Sequence, residues 1–242
     1  MALDDVLFAS AVAMAAAGSL VLGAVVGLVH APSRRVLGMV LAVGAGALFS
    51  AITFELVDGA VDSGDTWRLA AGMLLGAIVY VGGARLLVGG RADGGGDDAE
   101  GDARSIVLGA TLDGIPESLA IGATVAAAGA GSLPLTLPIA VALSNFPEAL
   151  AATTGLRAAG HRPSRILLLW LGLVLASGVA AAAGFAVLER VDESVRAILD
   201  AFTAGAVLAM LADTMIPDAY RDAGRIAGIC TVLGFIASVL LA

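Results

Sequence analysis

Two similar motifs in this chain each place a glutamate directly after a proline, within a long apolar stretch. The first is Asp113-Gly-Ile-Pro-Glu117 and the second is Ser144-Asn-Phe-Pro-Glu148. A carboxylate inside the hydrocarbon layer of a membrane costs several kcal/mol unless it has a partner, so such residues are functional candidates. Two such carboxylates at equivalent positions of similar motifs indicate one shared site. Its candidate residues are Asp113, Glu117, Ser144, Asn145 and Glu148.

Helical spacing places these side chains on common faces. Residues four apart share a helix face, which pairs Asp113 with Glu117 and Ser144 with Glu148. Asn145 lies three residues before Glu148 and borders that face. A short turn joins the two stretches into an antiparallel hairpin, in which the two glutamates differ in depth by only about 5 Å. We therefore expect them to face each other near the centre of the membrane.

The prolines predict further oxygen ligands. Pro116 has no amide hydrogen for the carbonyl of Leu112, and Pro147 has none for that of Leu143. Each helix is expected to kink and to release a carbonyl oxygen one turn before its glutamate. Carboxylates, an amide, a hydroxyl and free carbonyls together are typical of a cation site. The alternative is a structural pair of protonated glutamates, but a cation is the expected partner because neither span interior holds a basic residue.

The composition is that of an integral membrane protein. The chain has 242 residues, of which 59% are hydrophobic and 14% charged, and its mean hydropathy is +0.97. Asp4 and Asp5 stand where a signal peptide would be basic, so the first apolar run is expected to be a retained span. At about 20 residues per span, we predict an all-α fold, a single domain with a bundle of eight transmembrane helices. The predicted spans are residues 6–28, 36–57, 68–88, 105–129, 134–156, 165–188, 197–216 and 223–241.

The arginines predict the orientation. All 13 basic residues are arginine, and an amino terminus outside the cytoplasm leaves only Arg68, Arg190 and Arg196 on the outer side. The excess of arginine on the other side agrees with the positive-inside rule. The Gly- and Asp-rich residues 89–104 are then a flexible cytoplasmic loop that separates three spans from five. We expect a multi-pass protein of the cell membrane with both termini extracytoplasmic.

Charge and motif content exclude other classes. The net charge of -8 argues against a nucleic-acid partner, and it reflects either codon bias or a salt-adapted source. Cys230 is the only cysteine, so neither an intramolecular disulfide nor a thiolate cluster can form. The sequence has no HExxH and no Gly-x-Ser-x-Gly motif, so it is not expected to be an enzyme. No cofactor is expected either.

At the two Pro-Glu motifs the chain resembles the ZIP (Zrt/Irt-like) family of divalent metal transporters. The similarity continues in Ser177-Gly-Val-Ala-Ala181 of the sixth predicted span and in Asp213-Thr-Met-Ile-Pro217 of the seventh. The resemblance implies eight spans, both termini outside, a variable cytoplasmic loop after the third span, and transport of a divalent cation. It also implies metal ligands on the fourth and fifth spans, where Glu117 and Glu148 match the family's glutamates.

Several family ligands differ in this chain. Asp113 and Ser144 stand in place of two histidines, Gly114 in place of an asparagine, and Ala181 in place of a glutamate that bridges two metals in two-metal members. The resemblance then implies one dominant site with oxygen ligands only. Such ligands suit Mn²⁺, Mg²⁺ or Fe²⁺ better than Zn²⁺, for which imidazole is a suitable ligand.

Two further acids are predicted to line an ion path. Glu55 lies at the outer end of the second span and Asp213 near the inner end of the seventh, whereas His30 and His161 fall in cytoplasmic loops and are not expected to be ligands. A midplane site with acids towards both faces favours alternating-access transport over storage. Small-residue faces permit a homodimer in the lipid bilayer. The alternative function is a relative that no longer transports and serves as a metal sensor or structural membrane subunit.

Overall fold

A computed structural model of the chain describes residues 3–30, 32–57, 66–87, 99–128 and 135–241. These residues form eight helices and no strand, so the predicted all-α class is confirmed. In chain order the helices are α1 (Leu3–Val29), α2 (Arg34–Ala51, continued by a π-helical turn at Ile52–Val57), α3 (Thr66–Leu87), α4 (Ala99–Ala128), α5 (Thr136–Ala158), α6 (Pro163–Leu188), α7 (Glu193–Met210, a π-helical turn at Leu211–Met215, then Ile216–Ala223) and α8 (Ile226–Leu241).

Five of the described helices are long and apolar enough to cross a membrane, namely α1, α2, α3, α6 and α7. The chain is therefore a membrane protein. Helices α4 and α5 are continuous, but each carries the polar residues of a Pro-Glu motif near its centre. These residues lower the mean hydropathy of the two helices. Helix α8 has 16 residues, or about 24 Å at the usual rise per residue. The prediction of eight spans is thus confirmed for five helices.

Several predicted boundaries differ from the structure. Helix α4 begins at Ala99, so residues 99–104 of the predicted flexible loop are helical, and residues 89–98 lie outside the described part of the chain. Helix α7 runs past its predicted end at residue 216, because Pro217 lies in the first turn after the π-helical turn, where a missing amide hydrogen is tolerated. It ends before Gly224, whose φ of 65° favours glycine, so α8 starts later than predicted.

Close helix contacts depend on glycine. Gly76 of α3 faces α7, and a Cβ atom at that position would overlap the carbonyl oxygen of Phe202. Helices in lipid lack a hydrophobic drive for association, and small residues let their backbones approach. Helices α3 and α7 therefore pack along each other as a pair.

The two motif helices have their main contacts with other helices. Helix α4 packs chiefly along α6, and α5 packs along α1 and α2. Helices α4 and α5 touch at fewer positions, and the turn predicted to join them lies outside the described residues. The largest core cluster surrounds this region, with Leu48, Ile121, Val141 and Met210 each at most 2% exposed. The arrangement leaves space between α4 and α5 while it buries their central residues.

The linker end of the bundle is the one at which α3 ends and α4 begins, and the opposite end is the one at which α4 ends and α5 begins.

Candidate functional site

Asp113 is held by a residue outside both motifs. The hydroxyl group of Tyr80 in α3 donates a hydrogen bond of 2.8 Å to Asp113 Oδ1. Tyr80 is 5% exposed and Asp113 is 8% exposed. A buried tyrosine hydroxyl usually has a hydrogen-bond partner, so a tyrosine inside an apolar span was the available signal, although the sequence does not say which partner it has.

Glu117 lies one turn further along α4 and is only 3% exposed. Its carboxylate interacts electrostatically with Glu148 and Asp113. Within the described part of the chain, Glu117 Oε2 has no hydrogen-bond partner. A buried polar atom without a partner is costly, so this oxygen is open to a cation.

Helix α5 contributes Ser144 and Glu148. Ser144 is 1% exposed and lies near the Glu117 carboxylate. Its hydroxyl group donates to the carbonyl oxygen of Val141 at 2.9 Å. The same hydroxyl group lies within hydrogen-bond reach of the Glu117 carboxylate. Glu148 is half-buried and interacts with both Asp113 and Glu117, so three acids and one hydroxyl group come together.

Asn145 borders the face of α5 that carries Ser144 and Glu148. It is 5% exposed and lines a separate cavity of about 20 Å³ with Gly114 and Ser177. Its position three residues before Glu148 rotates it about 60° from the shared face. Residues of α1, α4 and α6 line this cavity with it, and its role as a ligand beside the acids stays a prediction.

A cavity of about 270 Å³ extends from the acids towards the linker end. Asp113 and Glu148 line it together with residues of α2 and α7. Asp218 of α7 also lines the cavity and forms an ion pair with Arg221, with Nη1 and Oδ1 2.8 Å apart. Exposed pairs of this kind contribute little to stability, so the Asp218 carboxylate can separate from Arg221 at little cost.

A second cavity, of about 240 Å³, lies towards the opposite end and contains two acids. Glu55 of α2 and Asp200 of α7 line it beside Ala123 and Ala127 of α4. Asp200 was not among the residues predicted from sequence. It lies inside a predicted span, so the rule that selected Glu117 would also have selected Asp200.

Glu117 lies between the two cavities along α4. The linker-end cavity is lined by Ala110 and Asp113, and the opposite cavity by residues from Ala123 onwards. Asp113 and Ala123 are about 15 Å apart along the helix axis. A continuous route from one end of the bundle to the other would therefore pass Glu117.

Both acids predicted for the ion path lie in π-helical turns. Glu55 is in Ile52–Val57 and Asp213 is in Leu211–Met215. Such turns are rare and often occur at functional sites. Asp213 is exposed and interacts electrostatically with Asp113. The path roles of both acids stay predictions.

One carbonyl oxygen predicted to be a ligand is covered by a neighbouring helix. Pro147 cannot donate to the carbonyl of Leu143, and a Cβ atom at Gly44 of α2 would lie 2.8 Å from that oxygen. The backbone of Gly44 therefore packs against it. Gly44 thus lies beside the oxygen that Pro147 leaves without a donor, and the ligand role of that oxygen stays a prediction.

The described residues that line the linker-end cavity do not include Ala181, His30 or His161. Ala181 is fully buried, and its carbonyl oxygen packs against Gly122 of α4. Ala181 therefore lies at a close contact between α4 and α6. His30 is exposed and His161 is partly exposed, both beyond the linker ends of their helices.

The acids are near one another but are not closed around an ion. Among the residues that the structure describes, no group of three acidic, histidine or cysteine side chains is arranged to hold a metal ion.

Comparison with known proteins adds no family assignment. The chain matches no protein-family model and has no significant match among curated proteins.

Proposed function

We propose that this chain transports a divalent metal cation, zinc or a harder ion such as manganese, iron or magnesium, across the cell membrane into the cytoplasm. The observation that carries the proposal is the position of Glu117. It is 3% exposed, its Oε2 has no partner among the described residues, and it lies between two cavities. The metal ion is the transported substrate and not a resident cofactor.

Acids in both cavities support movement through the site. Asp113 and Glu148 line the linker-end cavity, while Glu55 and Asp200 line the opposite one. A cation from either end would meet carboxylates before it reaches Glu117. A central site open in turn to each side is the arrangement of alternating access.

The direction follows from the proposed topology. In this proposal α4, α5 and α8 also cross the membrane, and three helices precede the cytoplasmic linker while five follow it. The distribution of arginines then places the linker end in the cytoplasm and both termini outside. The opposite cavity becomes the entrance and the linker-end cavity the exit.

Ligand chemistry supports a hard cation. Three carboxylates and the Ser144 hydroxyl group offer oxygen atoms only, and such ligands suit Mg²⁺ and Mn²⁺. The resemblance to ZIP transporters agrees with a divalent cation, and Asp113 in place of a histidine shifts the expected preference away from Zn²⁺.

A protein that binds metal without transporting it is the second candidate. It is favoured by the residues that replace ligands of the ZIP family, namely Asp113, Ser144 and Ala181. Such a protein would serve as a metal sensor or a structural membrane subunit.

Uptake by purified protein in liposomes separates these functions. We expect Mn²⁺ and Fe²⁺ to accumulate faster than in protein-free liposomes, and Glu148→Gln to slow accumulation at least about tenfold, as expected for loss of a metal ligand. Metal binding without uptake would support the sensor, and absence of both would reject a metal-related function.

A further inference from the structure

Tyr80 donates a hydrogen bond to one of the two carboxylate oxygen atoms of Asp113. The hydrogen bond from the phenol joins Oδ1 at 2.8 Å, and both residues are buried. A phenol has one hydrogen to donate, so this contact uses the only hydrogen of Tyr80. Asp113 also lines the linker-end cavity, which leaves Oδ2 as its second oxygen for a ligand.

The packing around Tyr80 restricts its movement. Helix α3 packs along α7, and Gly76, one turn before Tyr80, lets the backbone of α7 approach closely. Thr214 of α7 lies near the phenol, but its own hydrogen is donated to the carbonyl oxygen of Met210 at 2.9 Å. The phenol is therefore held with Asp113 as its acceptor.

The number of free carboxylate oxygens affects which cation binds. Ca²⁺ accepts many oxygen ligands and often takes both oxygens of one carboxylate, whereas Mg²⁺ requires fewer ligands in a tighter geometry. A carboxylate oxygen that accepts a phenol hydrogen bond has one lone pair left and its direction of approach is partly covered, so binding through the other oxygen is favoured.

From these contacts we propose that Tyr80 is a positioning residue that keeps Asp113 a one-oxygen ligand and thereby sets the ion preference against Ca²⁺. The inference rests on the proposal that these acids bind a cation. It assigns a selectivity role to a helix, α3, that carries neither Pro-Glu motif. Removal of the hydroxyl group frees Oδ1 and allows Asp113 to bind a large cation through both oxygens.

The test is equilibrium binding of Mn²⁺ and of Ca²⁺ to the full chain in lipid nanodiscs. We expect Tyr80→Phe to shift the ratio of the two dissociation constants about tenfold in favour of Ca²⁺, the size of effect that one hydrogen bond to a charged group can have. The matched control is Tyr220→Phe. Tyr220 is the other of the chain's two tyrosines and is 57% exposed. The ratio of the two dissociation constants in Tyr220→Phe should therefore equal that in the wild type.

Two results would overturn the inference. If Tyr80→Phe weakens both ions equally, the hydroxyl group has a structural role only, because a looser fold lowers both affinities without changing their ratio. If the shift persists in an Asp113→Ala background, Tyr80 does not act through Asp113.

The binding assay also separates this inference from the proposed function. If the wild-type protein binds Mn²⁺ but does not transport it, the transport proposal is rejected. The ratio of the Mn²⁺ and Ca²⁺ dissociation constants would still test the role of Tyr80. Wild-type protein that binds neither ion would reject both proposals.

Discussion

Trp170 of α6 donates a hydrogen bond of 2.9 Å from Nε1 to Thr153 Oγ1 of α5. Both side chains are fully buried. Helices α5 and α6 touch at few other positions, so this bond fixes α5 relative to α6 close to Glu148, five residues before Thr153. The site helix is thus positioned by a polar contact outside the acid cluster.

Replacement of Thr153 should therefore destabilise the fold. Thr153→Val keeps the shape but leaves the indole N–H of Trp170 without its acceptor, which costs about 1–3 kcal/mol. Thr154→Val is the matched control, because the Thr154 hydroxyl group donates only to the carbonyl oxygen of Ala151 in its own helix. Thermal unfolding in detergent should show a lower melting temperature for Thr153→Val alone, and equal losses would contradict the account.

Two glycines of α3 should respond differently to alanine. A Cβ atom at Gly76 would overlap the Phe202 carbonyl oxygen, whereas no atom of the described residues lies within 4 Å of a Cβ at Gly82. We expect Gly76→Ala to cost about 1–3 kcal/mol through overpacking, and Gly82→Ala to be neutral or stabilising because alanine favours helix. Thermal unfolding measures both, and an unchanged Gly76→Ala variant would refute the close contact.

The two cavities should be reached from different sides of the membrane. In a Cys230→Ala background, which removes the only cysteine, we expect a membrane-impermeant thiol reagent to label Ala152→Cys from the linker side and Ala127→Cys from the opposite side. Ala152 lines the linker-end cavity and Ala127 the other. Mass spectrometry of oriented vesicles measures the labelling.

The control for this experiment is Leu171→Cys. Leu171 is 47% exposed on α6 but lines neither cavity, so lipid should shield it from the reagent. Labelling of both cavity positions from one side would contradict the proposed topology.

A histidine at position 113 should change the metal preference. Imidazole is a better ligand for Zn²⁺ than for Mn²⁺, and the cavity beside Asp113 has a volume of about 270 Å³. We expect Asp113→His to raise the affinity for Zn²⁺ relative to Mn²⁺ about tenfold, a difference of about 1.4 kcal/mol. Competition binding measures the ratio, and Asp192→His at the exposed start of α7 should leave it unchanged.

Much of the fold could be predicted because hydropathy and span length are local properties. All eight helices fall where the apolar stretches lie, and helix spacing correctly placed Asp113 and Glu117 near each other. The continuation of α7 through Pro217 could not be predicted, because it depends on a π-helical turn that hydropathy does not reveal.

The candidate site was predicted less completely because it depends on contacts between distant residues. Tyr80 and Asp113 are 33 residues apart in sequence, and spacing within one helix says nothing about such a pair. The same limit applies to the Leu143 carbonyl, which is covered by Gly44 of another helix. Asp200, in contrast, was visible in the sequence as an acid inside an apolar span.

The central claim is that Glu117 binds the transported cation, and Mn²⁺ uptake into proteoliposomes tests it most directly. Three forms are compared: the wild type, Glu117→Gln, and Asp192→Asn, which changes an exposed acid with no capping hydrogen bond. We predict that Glu117→Gln loses at least about tenfold in uptake rate while it keeps the melting temperature of the wild type, and that Asp192→Asn retains full uptake. Equal uptake by all three forms would contradict the account.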